Sequence, residues 1–319
     1  MRVSIQEAIT KLQNGEVVAI PTETVYGLAA DATNENALRQ IYVIKARPAN
    51  NPLIVHIASI SQVQDWAAEF PPLAQKLAQV FWPGPFTLVL PAKASISNIL
   101  RADEPTVALR VPSHPLALQL LQQSGLGLAA PSANKYTQLS PTTAAHVATG
   151  LGDSVPVLDG GSCKVGVEST IVSVHGDDWQ LLRHGMITEA QVAHIAGRPA
   201  LSNVEHLALP KVPGQHILHY SPRTQTLLFD DEKLLNDALE TFSKNHVNCV
   251  VLNIGENAIG AKENTIYLSN TPELVAEGLY DALHRLDALG ADRILVKMPP
   301  DIAEWAAITD RLVRAGQRV

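Results

Sequence analysis

Between residues 16 and 57 the chain leaves one short apolar run, EVVAI, and returns to another, LIVHI, and the polar stretch between them constrains the fold most. That stretch holds PTETVYGLAADA, then a helical pattern, then KARPANNP. Pro21 ends the first run, because it has no N–H to give a strand ladder. Thr33 or Asn34 can cap a helix whose apolar face is Leu38, Ile41, Tyr42 and Ile44. Pro48 disfavours helical geometry at Arg47, so the helix should stop near Lys45. Two buried strands therefore bracket a loop–helix–loop carrying hydroxyls, Lys45, Arg47 and Asn51, and the second strand adds His56. These polar groups have one shared destination, a cleft.

Up to about residue 200, apolar runs alternate with helical patterns. Strands are expected at 16–20, 52–57, 86–91, 106–111, 126–130 and 169–174. Helices are expected at 4–13, 35–45, 71–81, 114–123, 141–149 and 188–196. The alternation is not strictly strand–helix–strand, so the fold class is α/β with a twisted mixed sheet. Residues 201–223 contain LPKVPGQHILHYSPR, without a period, and read as a linker. From 224 to 319 the order is strand (TLLFD), helix (233–244), strand (NCVVLNI), short strand (TIYL), helix (272–289), strand (RILVK) and helix (301–315). This is a smaller Rossmann-like α/β domain. A length of 319 residues suits about two such domains.

The formal charge of −7 argues against a generally basic nucleic-acid coat, but leaves room for one basic cleft. Cys163 and Cys249 fall in different domains, which speaks against a disulfide framework or a cysteine zinc site. No run of 18 apolar residues and no apolar leader occurs, so a soluble, cytoplasmic protein is expected, with no membrane partner.

Several groups carry chemistry. Lys45 and Arg47 can converge on phosphate oxygens, or simply offset a helix dipole. Ser132 and Asn134 of PSAN follow a strand, and Ser140 with Pro141 looks like a helix start able to bind an anion or merely to cap. In DGGSCKVGVESTI three glycines permit close backbone approach before Ser169 and Thr170. Thr106, Ala108 and Arg110 share one face of a strand, and Arg110 needs a carboxylate from protein or ligand. Arg183 raises the same question. GENAIGAKEN is no phosphate loop, since Ala261 precedes Lys262 and no helix start follows. His216 and His219 lack further ligands, so no protein metal site is expected. Arg311, Arg314 and Arg318 read as a solvated helix end, with an RNA contact as the weaker alternative.

Together the segments PTETVYGL, KARPANNPLIVHI, WPGPFTLVLP, ALRVP, APSAN, SPTTAAHV, GVESTIV, LLRHG and HYSP, in this order, resemble the threonylcarbamoyl-AMP synthase family in its long form, a YrdC-like catalytic domain followed by a smaller domain. The resemblance implies a nucleotidyltransferase that makes threonylcarbamoyl-AMP and pyrophosphate from L-threonine, bicarbonate and ATP, for t6A at position 37 of tRNA. By motif position it implies ATP at Arg47, Asn51, Thr106, Ser132, Ser140, Arg183 and Tyr220, with Lys45 neutralising phosphate charge. It implies threonine at Thr24, His56, Arg110, Ala130 (through its backbone) and Ser169, with His56 helping to deprotonate the amine. Lys45, Arg47 and His56 are the expected catalytic groups. Tyr220 lies in the linker, which suggests a lid. Mg²⁺ would arrive with ATP, held by phosphates and water, and a tRNA-threonylcarbamoyl transferase would be the downstream partner. Lys135–Tyr136 after PSAN, His184 in LLRHG and Gln215 to Leu218 in the linker depart from the family pattern.

Two other classes compete. An RNA-binding module would need a continuous basic rim, which the acidic total opposes. A hydrogenase-maturation carbamoyl transferase would need acylphosphatase-like and zinc-finger regions, and this chain has no room for them.

Overall fold

The computed structural model describes residues 1–201, 210–213, 220–255 and 264–319. Ten of the described strands form one sheet in the order Arg2–Val3, Val157–Leu158, Val18–Ile20, Gly27–Asp31, Leu128–Ala129, Ile54–His56, Thr106–Arg110, Phe86–Pro91, Thr170–His175, Asp178–Arg183. Four neighbouring pairs are parallel and five antiparallel, so the sheet is mixed.

The two faces of its central strands differ in chemistry because side chains alternate with period 2. Val55, Val107, Leu109, Leu88 and Val172 point one way, into a core shared with Leu38 and Ile41 of helix Glu35–Lys45 and Leu73 and Leu77 of helix Pro72–Phe81. On the other face Ile54, Ala108, Val89 and Ile171 form only a small apolar patch, closed by Val212. Register places His56 opposite Arg110 and Ile54 opposite Ala108. The polar residues of these strands thus come out on one side. A third cluster packs Ala8, Ile9 and Leu12 of helix Ile5–Gln13 against Leu120 and Leu121 of helix Pro115–Ser124.

The second sheet is wholly parallel, in the order Thr265–Leu268, Cys249–Ile254, Arg293–Lys297, Gln225–Phe229, Gln317–Arg318. Helix Glu232–Lys244 covers one face through Leu235 and Leu239. Helices Pro272–Asp287 and Ala306–Ala315 cover the other. Pro272 opens its helix at a position whose N–H would be unpaired anyway. Its stripe of Val275, Ala276, Leu279, Leu283 and Leu286 is buried. This same core takes in Val25, Leu139 and Val167 of the first sheet's loops, so the two units share one apolar contact. Gly166 makes that approach possible: it has φ +77°, and a Cβ there would run into the backbone of Ala276.

Several expectations need correction. Residues 27–31, expected to belong to a polar loop, form a buried antiparallel strand. The helix expected at 141–149 spans Ala144–Leu151 and is capped by Thr143, whose hydroxyl accepts from His146 N. Strand Asp178–Arg183, hidden in the sequence behind a Gly176 turn, pairs with Thr170–His175. The last helix begins at Ala306 rather than 301. The rejected phosphate loop (256–263), His216 and His219 lie outside the described residues. No helix among the described residues is long and apolar enough to cross a membrane.

Candidate active site

The polar face of the first sheet opens into a narrow cleft with a cavity volume of about 40 Å³. Thr24, Arg47, His56, Arg110, Ala130, Ser132, Ser169, Arg183 and Tyr220 line it, joined by Thr22, Glu168 and Pro213. Three arginines in one cleft make a strong anion site.

Arg110 reaches it from strand Thr106–Arg110. Its Nε donates to Gly84 O at 3.2 Å, Nη1 to Thr24 Oγ1 at 2.9 Å, and Nη2 to Glu23 Oε1 at 2.6 Å. Thr24 is held in turn by Thr22, whose hydroxyl lies 2.8 Å from its own and donates to Val25 O at 2.6 Å. Burial works against the Glu23 charge, but Arg110 holds its carboxyl below the usual carboxylate range. Its Oε2 has no partner among the described residues.

Arg183, at the end of strand Asp178–Arg183, donates from Nε to Ser169 O and from Nη2 to Ser169 Oγ, both at 3.0 Å. Its Nη1 donates to Pro213 O at 3.0 Å, which sets Pro213 on the cleft wall. Ser169 Oγ also lies 2.7 Å from Thr87 Oγ1. Gly185, just beyond, has no space for a Cβ against Thr170. Arg47 follows a left-handed Ala46 (φ +50°) that ends helix Glu35–Lys45 and turns the chain inward. Its Nη2 donates to Pro52 O at 3.1 Å, while its buried Nε has no partner among the described residues.

Not every expected residue reaches the cleft wall. Lys45 is fully buried behind it: Nζ donates to Ser132 O and, at 2.7 Å, to Asn134 O. Burial, then Arg47, push its ammonium well below the ordinary lysine range. Its charge supports the PSAN turn rather than facing the cleft. Ser140 is equally buried and caps no helix; its Oγ donates to Glu168 Oε1 at 2.5 Å. Thr106 lies on the cleft-side face but at the far end of its strand, opposite Pro91. Asn51 is half-buried, its Nδ2 3.4 Å from Tyr136 OH. His56 is in the wall, yet it does not titrate near neutrality: burial, then Arg110, hold it down to about 3. It is a neutral imidazole with an unpartnered Nδ1 among the described residues, suited to hydrogen bonding and a poor proton carrier.

The largest omission from the sequence reading is Glu168. Burial disfavours its charge, but Arg311 and Arg183 hold its carboxyl down to about 2. Arg311, expected on a solvated helix end, is buried and donates from Nε to Glu168 Oε2 at 2.7 Å. Tyr280 OH donates to the same oxygen at 3.0 Å. Glu168 is the cleft's carboxylate among the described residues, and its two oxygens are already engaged. No cluster of three or more His, Cys, Asp or Glu side chains suited to a metal occurs among them.

Two family models match the chain. One, described as telomere recombination and named for Sua5, YciO and YrdC, matches residues 10–185. The other, described as threonylcarbamoyl-AMP synthase, C-terminal domain, matches residues 186–316. A threonylcarbamoyl-AMP synthase of Bacillus subtilis is 40% identical over 326 residues, covering 99% of this chain and 94% of that protein. One of Pyrococcus abyssi is 36% identical, covering 97% of this chain and 93% of its own length. The crystal structure of P. abyssi Sua5 complexed with L-threonine matches with a TM-score of 0.89 at 34% identity, over 99% of this chain and 98% of that one.

Proposed function

This chain belongs to the threonylcarbamoyl-AMP synthase family, and from that premise we propose that it makes threonylcarbamoyl-AMP and pyrophosphate from L-threonine, bicarbonate and ATP, supplying t6A at tRNA position 37. The observation that carries this reading is the donor count at Arg110. A guanidinium has five N–H groups. Three are aimed at Gly84, Thr24 and Glu23. The two left over among the described residues suit the carboxylate of an amino acid, with Thr24, His56, the Ala130 backbone and Ser169 around it. Arg47, Ser132, Arg183 and Tyr220 then serve ATP. Asn51, Thr106 and Ser140 belong to the same nucleotide side, from the margin and from behind the wall.

The chemistry needs positioning and charge neutralisation more than a protein nucleophile. The threonine amine adds to bicarbonate and releases water, giving a carbamate. A carbamate oxygen forms a bond to the α-phosphorus as the bond to pyrophosphate breaks. Arg47 and Arg183 offset the negative charge that develops on the phosphates. His56 orients the amine or hydroxyl by a hydrogen bond, and a proton lost from the amine leaves to solvent. Mg²⁺ enters as part of the substrate, on phosphate oxygens and water, because Glu168 is already engaged.

We divide the chain into a catalytic domain (1–200), a linker (201–223) that brings Pro213 and Tyr220 to the cleft, its expected lid lying for the rest outside the described residues, and a smaller domain (224–319), acting in the cytoplasm. The product, a reactive mixed anhydride, passes to a transferase that modifies tRNA. Incubation with ¹³C-bicarbonate, threonine and ATP, followed by mass spectrometry, should give a labelled threonylcarbamoyl-AMP. Only AMP or ADP, with no labelled adduct, contradicts the assignment.

A further inference from the structure

Arg311 sits in helix Ala306–Ala315 of the second sheet's domain, yet its guanidinium ends inside the wall of the first domain's cleft. Nε holds Glu168 Oε2 at 2.7 Å, and Nη2 donates to His184 O at 3.0 Å and lies 3.4 Å from Glu168 O. One side chain therefore ties together the loop before Ser169 and the loop after Arg183. Glu168 passes the constraint on through Oε1 to Ser140 Oγ at 2.5 Å. The guanidinium carbon also lies 5.1 Å from the centre of the Tyr220 ring, which lines the cleft.

Adhesion between the two units does not require this pair. Val275, Leu279 and Leu283 already supply an apolar contact with Val25, Leu139 and Val167. A buried ion pair must overcome a large desolvation cost, and well-packed apolar side chains commonly stabilise as much or more. What the pair does offer is charge control. Glu168 faces a cleft that, on the reading above, receives a triphosphate, and an uncompensated carboxylate there would repel it.

We propose that Arg311 is a positioning residue for ATP, contributed by the second domain: it cancels the Glu168 charge and fixes the loops carrying Arg183 and Ser140. The inference rests on the proposed ATP site. The threonine side is coupled to it more weakly: Ser169 is bonded by Arg183 as well as by Thr87, but Arg110 is held by Thr24 and Glu23, outside this network. The second domain thereby becomes part of the nucleotide site rather than an appendage.

The test uses the full chain with Arg311→Met, Arg311→Lys and the double variant Arg311→Met/Glu168→Gln, each checked first by thermal unfolding. Pyrophosphate release then gives KM for ATP and for threonine separately. The expected result is an ATP KM raised tenfold or more in Arg311→Met, with the threonine KM raised severalfold less than that, because Arg110 keeps its own partners. The double variant, which removes both charges, should recover most of that loss. Should Arg311→Met fail to fold, Arg311→Lys keeps the charge without the fork and should raise the ATP KM severalfold by itself. An unchanged ATP KM in folded variants, equal rises for both substrates, or no recovery in the double variant would each overturn the proposal. Pyrophosphate release by the wild type without threonine would instead contradict the underlying synthase reading.

Discussion

Arg110 and Glu23 form a buried ion pair of 2.6 Å, 4% and 7% exposed, at the edge of the cleft. Such a pair fixes the plane of the guanidinium and aims its remaining donors at the ligand. It also means Arg110 cannot be removed without leaving a buried carboxylate unpaired, a loss of roughly 3–5 kcal/mol. The cleaner variant is Arg110→Lys, which keeps the charge and loses the fork. It should raise the threonine KM tenfold or more, on the order of 1.4 kcal/mol, with the ATP KM changed by less than about twofold. Steady-state kinetics with each substrate varied in turn checks this, and parallel rises would contradict it.

His56 should leave no mark on the pH profile near neutrality, because burial and Arg110 hold it down to about 3. Its neutral form dominates throughout the working range. Profiles of kcat/KM for threonine against pH should therefore run parallel in wild type and His56→Gln between about pH 5.5 and 8. A limb near pH 6.5 that vanishes only in the variant would restore His56 as a proton carrier.

Lys45 is expected to act on stability first and on ATP second. Without it the Ser132 and Asn134 carbonyls lose their buried donor. Lys45→Met should cost roughly 2–4 kcal/mol, the unmet carbonyls outweighing relief from burying the ammonium. Urea unfolding measures that, and kinetics should show a higher ATP KM as the Ser132 turn loosens. Full stability in the variant would refute the structural role.

Glu168 makes stability fall in acid. Its folded pKa of about 2 lies below the ordinary 4.5, so the unfolded chain binds the proton first. Its contribution is complete above about pH 4.5 and is lost as pH falls towards 2, on the order of 3 kcal/mol in all. Urea midpoints between about pH 5 and 3 should drop more steeply in wild type than in Glu168→Gln. Equal slopes would remove Glu168 from the acid response.

What the sequence made legible follows physical range. Strands Phe86–Pro91, Thr106–Arg110 and Thr170–His175 announce themselves through short apolar runs, and helix Glu35–Lys45 through its cap at Asn34 and its buried stripe. Strand Gly27–Asp31 was hidden because Gly, Leu and two alanines beside a polar turn carry little strand signal. Most residues expected at the ligands do meet in one cleft, because the ordered motifs encode loops at the ends of adjacent strands. The behaviour of Lys45, Ser140 and Arg311 was not legible, since each is decided by a partner far away in sequence: Ser132 and Asn134, Glu168, and Glu168 again. Local rules read Ser140 as a cap and Arg311 as a solvated helix end. Burial and a distant carboxylate overrode both.

The most direct measurement is pyrophosphate release from ATP by the purified chain, omitting threonine and bicarbonate one at a time. The account predicts release only when both are present. Release that persists without threonine, or a complete reaction mixture that yields none while ATP still binds, would contradict it.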